Sequence, residues 1–148
     1  MLPAQLSADP SREPAAGVVS IPSTPSTPSL EVVSAGSHPS AGKVGVIYLK
    51  IVNHMDRPDR LIAATTPAAA RVEFHETTVD GDMVRMTPRP LGFEIARTGQ
   101  LVLENGGKHI MLIGLVKPLR SGGWIELELV FEHADPVRVR VPVRPRLF

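Results

Sequence analysis

Strict alternation of apolar and charged residues near the end of the chain predicts β structure for that region. Apolar side chains occupy every second position of a first run, namely Ile125, Leu127, Leu129 and Phe131. A second run repeats the pattern with Val137, Val139, Val141 and Val143. Because a strand repeats every two residues, each run has one apolar and one charged face. We expect the runs to pair through a short loop, His133-Ala134-Asp135, which places Glu128 opposite Arg140.

The rest of the folded region also favours short strands, because no segment from Leu30 onward has the 3.6-residue period of a helix. Strands are expected at 30–35, 44–53, 61–66, 71–78, 83–87, 92–96 and 100–104. The segment 44–53 is apolar on both faces, which predicts a central strand. About eight short strands at regular spacing predict an all-β fold, an antiparallel β-sandwich.

The beginning of the chain has a different composition. Six of the 15 prolines lie in residues 1–29, which are also rich in Ser and Thr. Such a segment has too little apolar surface to offset the entropy of ordering, so we predict a disordered arm, serving as a spacer or a plain terminus. Residues 30–148 are predicted to form one domain. No continuous apolar segment typical of a signal peptide is visible in the arm, and no apolar run approaches a membrane span.

Composition excludes several classes of site. The chain has no cysteine, so disulfides, thiolate nucleophiles and blue-copper centres are excluded. The formal net charge is +1, too small for electrostatic capture of nucleic acid. No nucleophile elbow, catalytic carboxylate pair or phosphate loop is present, and we therefore expect a protein that is not an enzyme.

A hairpin brings the first candidate metal ligands together. Asp80-Gly81 is typical of a two-residue type I′ turn, which requires positive φ at both positions. In that register His75 faces Met86, and directly opposed residues have Cβ atoms about 4.5 to 5.5 Å apart. The alternation also predicts that His75 is exposed, because it points away from the face that carries Phe74.

The second candidate pair is His109 and Met111, which alternation in a strand places on one face. Together with His75 and Met86 they make two imidazoles and two thioethers. Thioether sulfur is soft and suits Cu(I), whereas Zn²⁺ sites use His, thiolate or carboxylate. Taken singly, each residue is more often a core or solvated side chain than a ligand. The joint arrangement, in a chain with five His and five Met, favours a metal site.

The remaining His and Met residues are weaker candidates. Met83 has the opposite parity to Met86, so we expect it to pack against the protein. His54-Met55 is adjacent to turn residues and is expected in a surface loop, as are His38 and His133.

At the level of motifs, the chain resembles the PCuAC family of periplasmic copper chaperones. Four segments carry the resemblance: His75-Glu76, Asp80-Gly81, Met83-Val84-Arg85-Met86 and Gly106-Gly107-Lys108-His109-Ile110-Met111-Leu112-Ile113-Gly114-Leu115. The family motif is His, ten residues, Met, about twenty-one residues, then His-X-Met. Here ten residues separate His75 from Met86, and 22 separate Met86 from His109. The resemblance covers roughly residues 30–143.

The resemblance implies a cupredoxin-like β-sandwich that binds one Cu(I) ion per chain through His75, Met86, His109 and Met111. It implies delivery of copper to the copper centres of a respiratory oxidase, in cytochrome c oxidase assembly, directly or with a Sco-type partner. It also implies a periplasmic location. Two alternatives stay open at this point: a copper storage or scavenging protein, and a metal-free structural or adhesive β-sandwich.

Overall fold

The computed structural model describes residues 29–145, and the part it describes consists of strands, turns and loops. It contains ten strands, where about eight are expected from the sequence: β1 (Leu30–Ser37), β2 (Val44–Asn53), β3 (Asp59–Thr65), β4 (Ala69–Asp80), β5 (Met83–Pro88), β6 (Phe93–Ile95), β7 (Gln100–Leu103), β8 (Lys108–Leu115), β9 (Trp124–Phe131) and β10 (Val137–Pro142). Nearly all of the predicted arm, 1–29, lies outside the described residues. Between residues 29 and 145 no helix has the length and hydropathy to cross a membrane.

The strands form two antiparallel sheets, as the alternating patterns predict. The first sheet has the order β1-β2-β8-β4-β5, with β7 also paired to β2, and the second has the order β10-β9-β3-β6. Strand β2 has neighbours on both sides, which confirms the prediction of a central strand. Strand β5 ends the first sheet and leaves one edge of that sheet open. The predicted all-β sandwich is confirmed.

The core lies between the two sheets and uses one face of each strand. From the first sheet it takes Ile47, Leu49 and Ile51 of β2, Phe74 of β4, and Ile110 and Leu112 of β8. From the second sheet it takes Leu61, Ile125, Leu129 and Val141, among others. Alternation therefore turns the side chains of His75, His109 and Met111 to the outer face of the first sheet.

The register predicted for the last two strands is wrong by two residues. Glu128 pairs with Arg138 rather than Arg140, and Arg140 pairs with Glu126. The cause is the end of β9, which remains paired with β3 as far as Phe131. Beyond it, the carboxylate of Asp59 accepts hydrogen bonds from the backbone N–H groups of the next loop, so that loop cannot close as a tight turn. A shift of two keeps every side chain on its predicted face.

Candidate metal centre

The hairpin between β4 and β5 forms, but in a different register from the predicted one. Its two central residues are Gly81 and Asp82, flanked by the pair Asp80 and Met83. Gly81 has φ of 63°, whereas Asp80 and Asp82 keep negative φ, the pattern of a type II′ turn. Glycine adopts positive φ without a steric penalty, and here it takes the first central position of the turn.

This register changes the partners of His75. Its direct neighbour on β5 is Pro88, and Met86 pairs with Thr77 instead. Met86 is therefore a diagonal neighbour of His75 on the same face. Diagonal pairs lie about 7 to 8 Å apart, still within reach of a long thioether side chain. Direct opposition of His75 and Met86 is thus a wrong prediction, although the two side chains share a face.

On its other side His75 directly faces His109. The two residues are partners in the ladder between β4 and β8. Their ring centroids lie 5.9 Å apart, with 28° between the ring planes. One ion can bridge such rings through metal–nitrogen bonds of about 2 Å. Both residues are among the four predicted ligands, but their pairing across β4 and β8 was not predicted from the sequence.

Both imidazoles are more enclosed than alternation predicts. The side chain of His75 is 14% exposed, and His109 is 3% exposed. The prediction that His75 is exposed is therefore wrong. The backbone pairing of β4 with β8 continues one step beyond β8, because the N–H of Thr77 donates to the carbonyl of Gly107.

Each imidazole has one nitrogen held and one nitrogen free. His75 Nε2 lies 3.0 Å from a carboxylate oxygen of Glu73, and His109 Nδ1 lies 3.2 Å from the carbonyl oxygen of Gly107. Both oxygens only accept, so these nitrogens carry the protons and donate. His75 Nδ1 and His109 Nε2 are then unprotonated, buried and without any hydrogen-bond partner within the described chain. Buried polar atoms rarely lack a partner, so the two free nitrogens are candidate ligand atoms.

The local electrostatics favour the neutral form of His109. Burial lowers the pKa of His109 below its ordinary 6.5, and nearby His75 lowers it further, against the opposing effect of the hydrogen bond to Gly107. Hydrogen bonds from Arg71 and then from His75 lower the pKa of Glu73, so this carboxylate stays ionised and accepts. A neutral imidazole is the form that binds a metal ion.

Glu73 and Gly107 were missed by the sequence analysis. The alternation did contain a sign of Glu73, because a residue two positions before His75 must share its face. Nothing in the sequence pattern predicts the role of the Gly107 carbonyl, which depends on how the loop before β8 folds back. Groups that accept the second N–H of a metal-binding histidine fix its tautomer and orientation.

The two methionines differ in position. Met111 pairs with Glu73 on β4, which makes it a diagonal neighbour of His75, and it is half-buried. Met86 lies on the edge strand β5 and is 55% exposed. Residues 29–145 contain no group of three or more His, Cys, Asp or Glu able to hold a metal ion. The two thioethers lie on the same face of the sheet as the two free nitrogens.

The remaining candidates are placed elsewhere. Met83 is 59% exposed, so the prediction that it packs is wrong. His54 lies in a loop and its Nε2 is 2.8 Å from a carboxylate oxygen of Glu31. His38 packs edge-to-face on Tyr48, with ring centroids 5.7 Å apart.

Sequence comparison relates the chain to proteins whose descriptions read "putative lipoprotein". The family described as "Putative lipoprotein LpqE-like" matches residues 29–143. A relative named "Putative lipoprotein Lxx21020", from Leifsonia xyli subsp. xyli (strain CTCB07), is 37% identical over 84 residues. That alignment covers 57% of this chain and 51% of the relative, so the match spans about half the relative's length.

Structure comparison gives several close matches in fold. The copper-bound PCuAC domain from PmoF2 has a TM-score of 0.68 at 23% identity, covering 79% of this chain and 93% of that domain. The apo PCuAC domain from PmoF1 has a TM-score of 0.63 at 24% identity, with 79% and 94% covered. The solution structure of CuI-DR1885 from Deinococcus radiodurans has a TM-score of 0.61 at 28% identity, with 78% and 80% covered. The shared architecture confirms the expected cupredoxin-like β-sandwich.

Proposed function

Because this chain belongs to the LpqE-like family and has the fold of PCuAC domains, we propose that it is a copper-binding chaperone. The solved neighbours include a copper-bound domain and a CuI form of a second protein, which supports copper as the cargo. The proposal assigns the chain to binding and transfer, with no catalytic reaction of its own.

One observation carries the proposal. Two buried imidazole nitrogens, His75 Nδ1 and His109 Nε2, have no partner among the described residues, and their rings are 5.9 Å apart. Hydrogen bonds to Glu73 and Gly107 hold the other nitrogen of each ring. A hydrogen-bonded network would pair such atoms within the protein, whereas an ion-binding site leaves them open for the ion.

We propose that His75, Met86, His109 and Met111 bind one Cu(I) ion. Two imidazoles and two thioethers form a neutral set of donors that suits this soft monovalent ion better than Zn²⁺ or Ca²⁺. The exposed position of Met86 supports transfer. A partner's donor can replace this thioether first, while the imidazoles still hold the ion.

The proposed destination is a copper centre of a respiratory oxidase, reached directly or through a Sco-type copper protein. The location is proposed to be outside the cytoplasm, in the periplasm where such a compartment exists. The support is the description of the matching family and of one relative as lipoproteins.

An anaerobic Cu(I) titration against a colorimetric Cu(I) chelator tests the site. The wild-type chain is expected to retain one equivalent in competition, and His109→Ala/Met111→Ala is expected to retain none. Met83→Ala is a matched control, because Met83 is an exposed methionine of the same hairpin. Equal binding by the wild type and the double variant, both with intact circular dichroism, would exclude the proposed ligands.

Storage or scavenging is the second candidate, and it predicts a different kinetic behaviour. A chaperone should transfer Cu(I) directly to an apo oxidase copper domain. This transfer should be faster than release of the ion to the chelator followed by its uptake by that domain. A storage protein should keep its copper when that domain is added. Mixing the loaded protein with the apo domain, with separation and metal analysis at intervals, distinguishes the two.

A further inference from the structure

The loops at one end of the sandwich carry a uniform charge. This end, called the basic end below, consists of residues 38–43, 66–68, 116–123 and 143–145. Backbone hydrogen bonds join these loops: Ser40 pairs with Leu119, and the N–H of Val116 donates to Ala68. The four loops contain the exposed cations Lys43, Lys117, Arg120 and Arg144, and no Asp or Glu. None of the four cations forms an ion pair with another residue of 29–145.

The opposite end has the reverse balance. Its loops and hairpin tip are residues 54–58, 81–82, 96–99 and 132–136. They contain Asp56, Asp82, Glu132 and Asp135 against Arg57 and Arg97. The near-neutral formal charge of the chain therefore conceals a separation of charge along the strand direction. Such a separation orients a protein in front of a charged surface.

At the centre of the basic end lies exposed apolar surface. Trp124 is 54% exposed and Val116 is 68% exposed, and a groove between them is lined by Pro67, Pro118 and Leu119. The guanidinium of Arg140 lies 4.5 Å from the centre of the Trp124 ring. Lys117 and Arg120 line the same groove. A tryptophan beside aliphatic side chains and cations is typical of surfaces that lie at a membrane–water interface.

We propose that the basic end docks on an anionic lipid bilayer, with Trp124 and Val116 at the level of the headgroups. Charge complementarity identifies the surface as anionic, and the cations come from three separate loops, which suits an extended surface. The description of the family as lipoproteins supports a bilayer over an acidic protein as the occupant. This proposal is independent of the copper ligands.

Docking in this way sets the orientation of the candidate metal centre. Strand β8 ends at the basic end with Leu115, and His109 lies six residues earlier. At about 3.3 Å per residue the imidazoles lie roughly 20 Å from the docked end. The exposed edge strand β5 is then accessible to proteins that approach from the side.

Flotation with lipid vesicles tests the proposal. The fluorescence of Trp124 is the second readout, because Trp124 is the only tryptophan in the chain and reports on its own environment. The full chain is mixed with vesicles of 30% phosphatidylglycerol in phosphatidylcholine, or of phosphatidylcholine alone. We expect binding only to the anionic vesicles, a blue shift of Trp124 emission, quenching by brominated lipid, and weakening by added salt.

Charge-reversal variants distinguish binding through the basic end from nonspecific electrostatic attraction of the whole chain to the vesicles. Lys117→Glu/Arg120→Glu is expected to weaken binding at least about 25-fold, because each cation near an anionic bilayer contributes about fivefold. Arg57→Glu/Arg97→Glu makes the same charge change at the opposite end and is expected to leave binding nearly unchanged. Failure to float with anionic vesicles, flotation without a Trp124 shift, or equal effects of the two double variants would overturn the proposal. A Trp124 shift with polyglutamate but not with vesicles would assign the end to an acidic protein and would also overturn it.

Discussion

The imidazole half and the thioether half of the candidate metal centre differ in almost every physical respect. His75 and His109 face each other in the interior of a sheet, nearly buried, and each has one nitrogen fixed by a hydrogen bond. Met86 lies on an edge strand and is exposed, while Met111 is between these extremes. The imidazole half is preorganised without a bound ion, whereas the thioether half can change conformation or be replaced as a ligand.

This difference predicts that the imidazole half sets the affinity for the ion, whereas the thioether half sets the rate at which the ion is exchanged. Fixed, desolvated donors contribute to affinity because little conformational freedom remains to be lost on binding. Flexible thioethers are adaptable and are easily replaced by the donors of another protein. We therefore expect that changes in the imidazole half mainly alter how tightly the ion is held, and that changes at Met86 mainly alter how fast it leaves.

The largest effect is expected for His109→Ala. It removes one of two preorganised donors, so Cu(I) affinity should fall by more than the 10 to 100-fold that is typical for the loss of an outer partner of a ligand. Competition with a Cu(I) chelator measures this change. An affinity within threefold of the wild type would show that the imidazole half does not hold the ion.

A smaller effect is expected for Glu73→Ala, about 10 to 100-fold in Cu(I) affinity, because His75 then loses the acceptor that fixes its tautomer. Glu73→Gln should recover most of the affinity, since an amide oxygen also accepts an N–H. Long-range ¹H–¹⁵N spectra of the apo protein report the tautomer directly. A His75 ring that keeps its proton on Nε2 in Glu73→Ala would contradict the assigned role.

The thioether half is tested with Met86→Leu, which keeps size and hydrophobicity but removes the sulfur. Equilibrium affinity for Cu(I) is expected to fall less than about tenfold, whereas the rate of transfer to an apo acceptor changes more strongly. Met111→Leu should show the larger loss of affinity, because Met111 is more enclosed. Equal losses of Cu(I) affinity in Met86→Leu and Met111→Leu would contradict the expected difference between the two methionines.

The same comparison predicts a gain in stability from His109→Leu in the apo protein. The variant removes a buried nitrogen that has no partner, an arrangement that costs about 1 to 3 kcal/mol. Urea unfolding at pH 7.5 should show a higher midpoint than for the wild type, and added copper should no longer raise it. A lower midpoint would mean that the His109 ring contributes more by packing than its free nitrogen costs.

The smallest effect concerns pH. The pKa of His109 is lowered in the folded state, mainly by burial, so the unfolded chain takes up a proton first as the pH falls. The associated stability is complete above the ordinary value of 6.5 and is lost as the pH falls through the lower folded value. Unfolding midpoints between pH 7.5 and 5 should therefore fall more in the wild type than in His109→Leu. Parallel slopes would assign the acid sensitivity to other groups.

Much of this fold could be predicted because strand patterns are local. The bounds of β2 agree with the predicted segment 44–53, and the alternation assigned His75 and Met86 to a common face. Both predicted hairpin registers were nonetheless wrong by two residues. A shift of two leaves every apolar residue on its face, so the pattern alone cannot exclude it. The register depends on the backbone of Gly81 and on the contacts of Asp59, which the pattern does not encode.

Burial was harder to predict than position. Alternation predicted an exposed His75, whereas its side chain is only 14% exposed. The acceptors Glu73 and Gly107 were not predicted for the same reason, because their role arises from tertiary contacts. The assignment of four copper ligands stays a prediction, which the titration above tests.

The unpartnered nitrogens of His75 and His109 also bear on how long the protein survives in a cell. A chain with unmet polar atoms in its interior opens more often, and proteases cleave the open form. An ion bound only by the closed form lowers the population of the open form in proportion to its occupancy. We expect turnover to be faster during copper starvation than after resupply, so that abundance follows copper without any dedicated sensor.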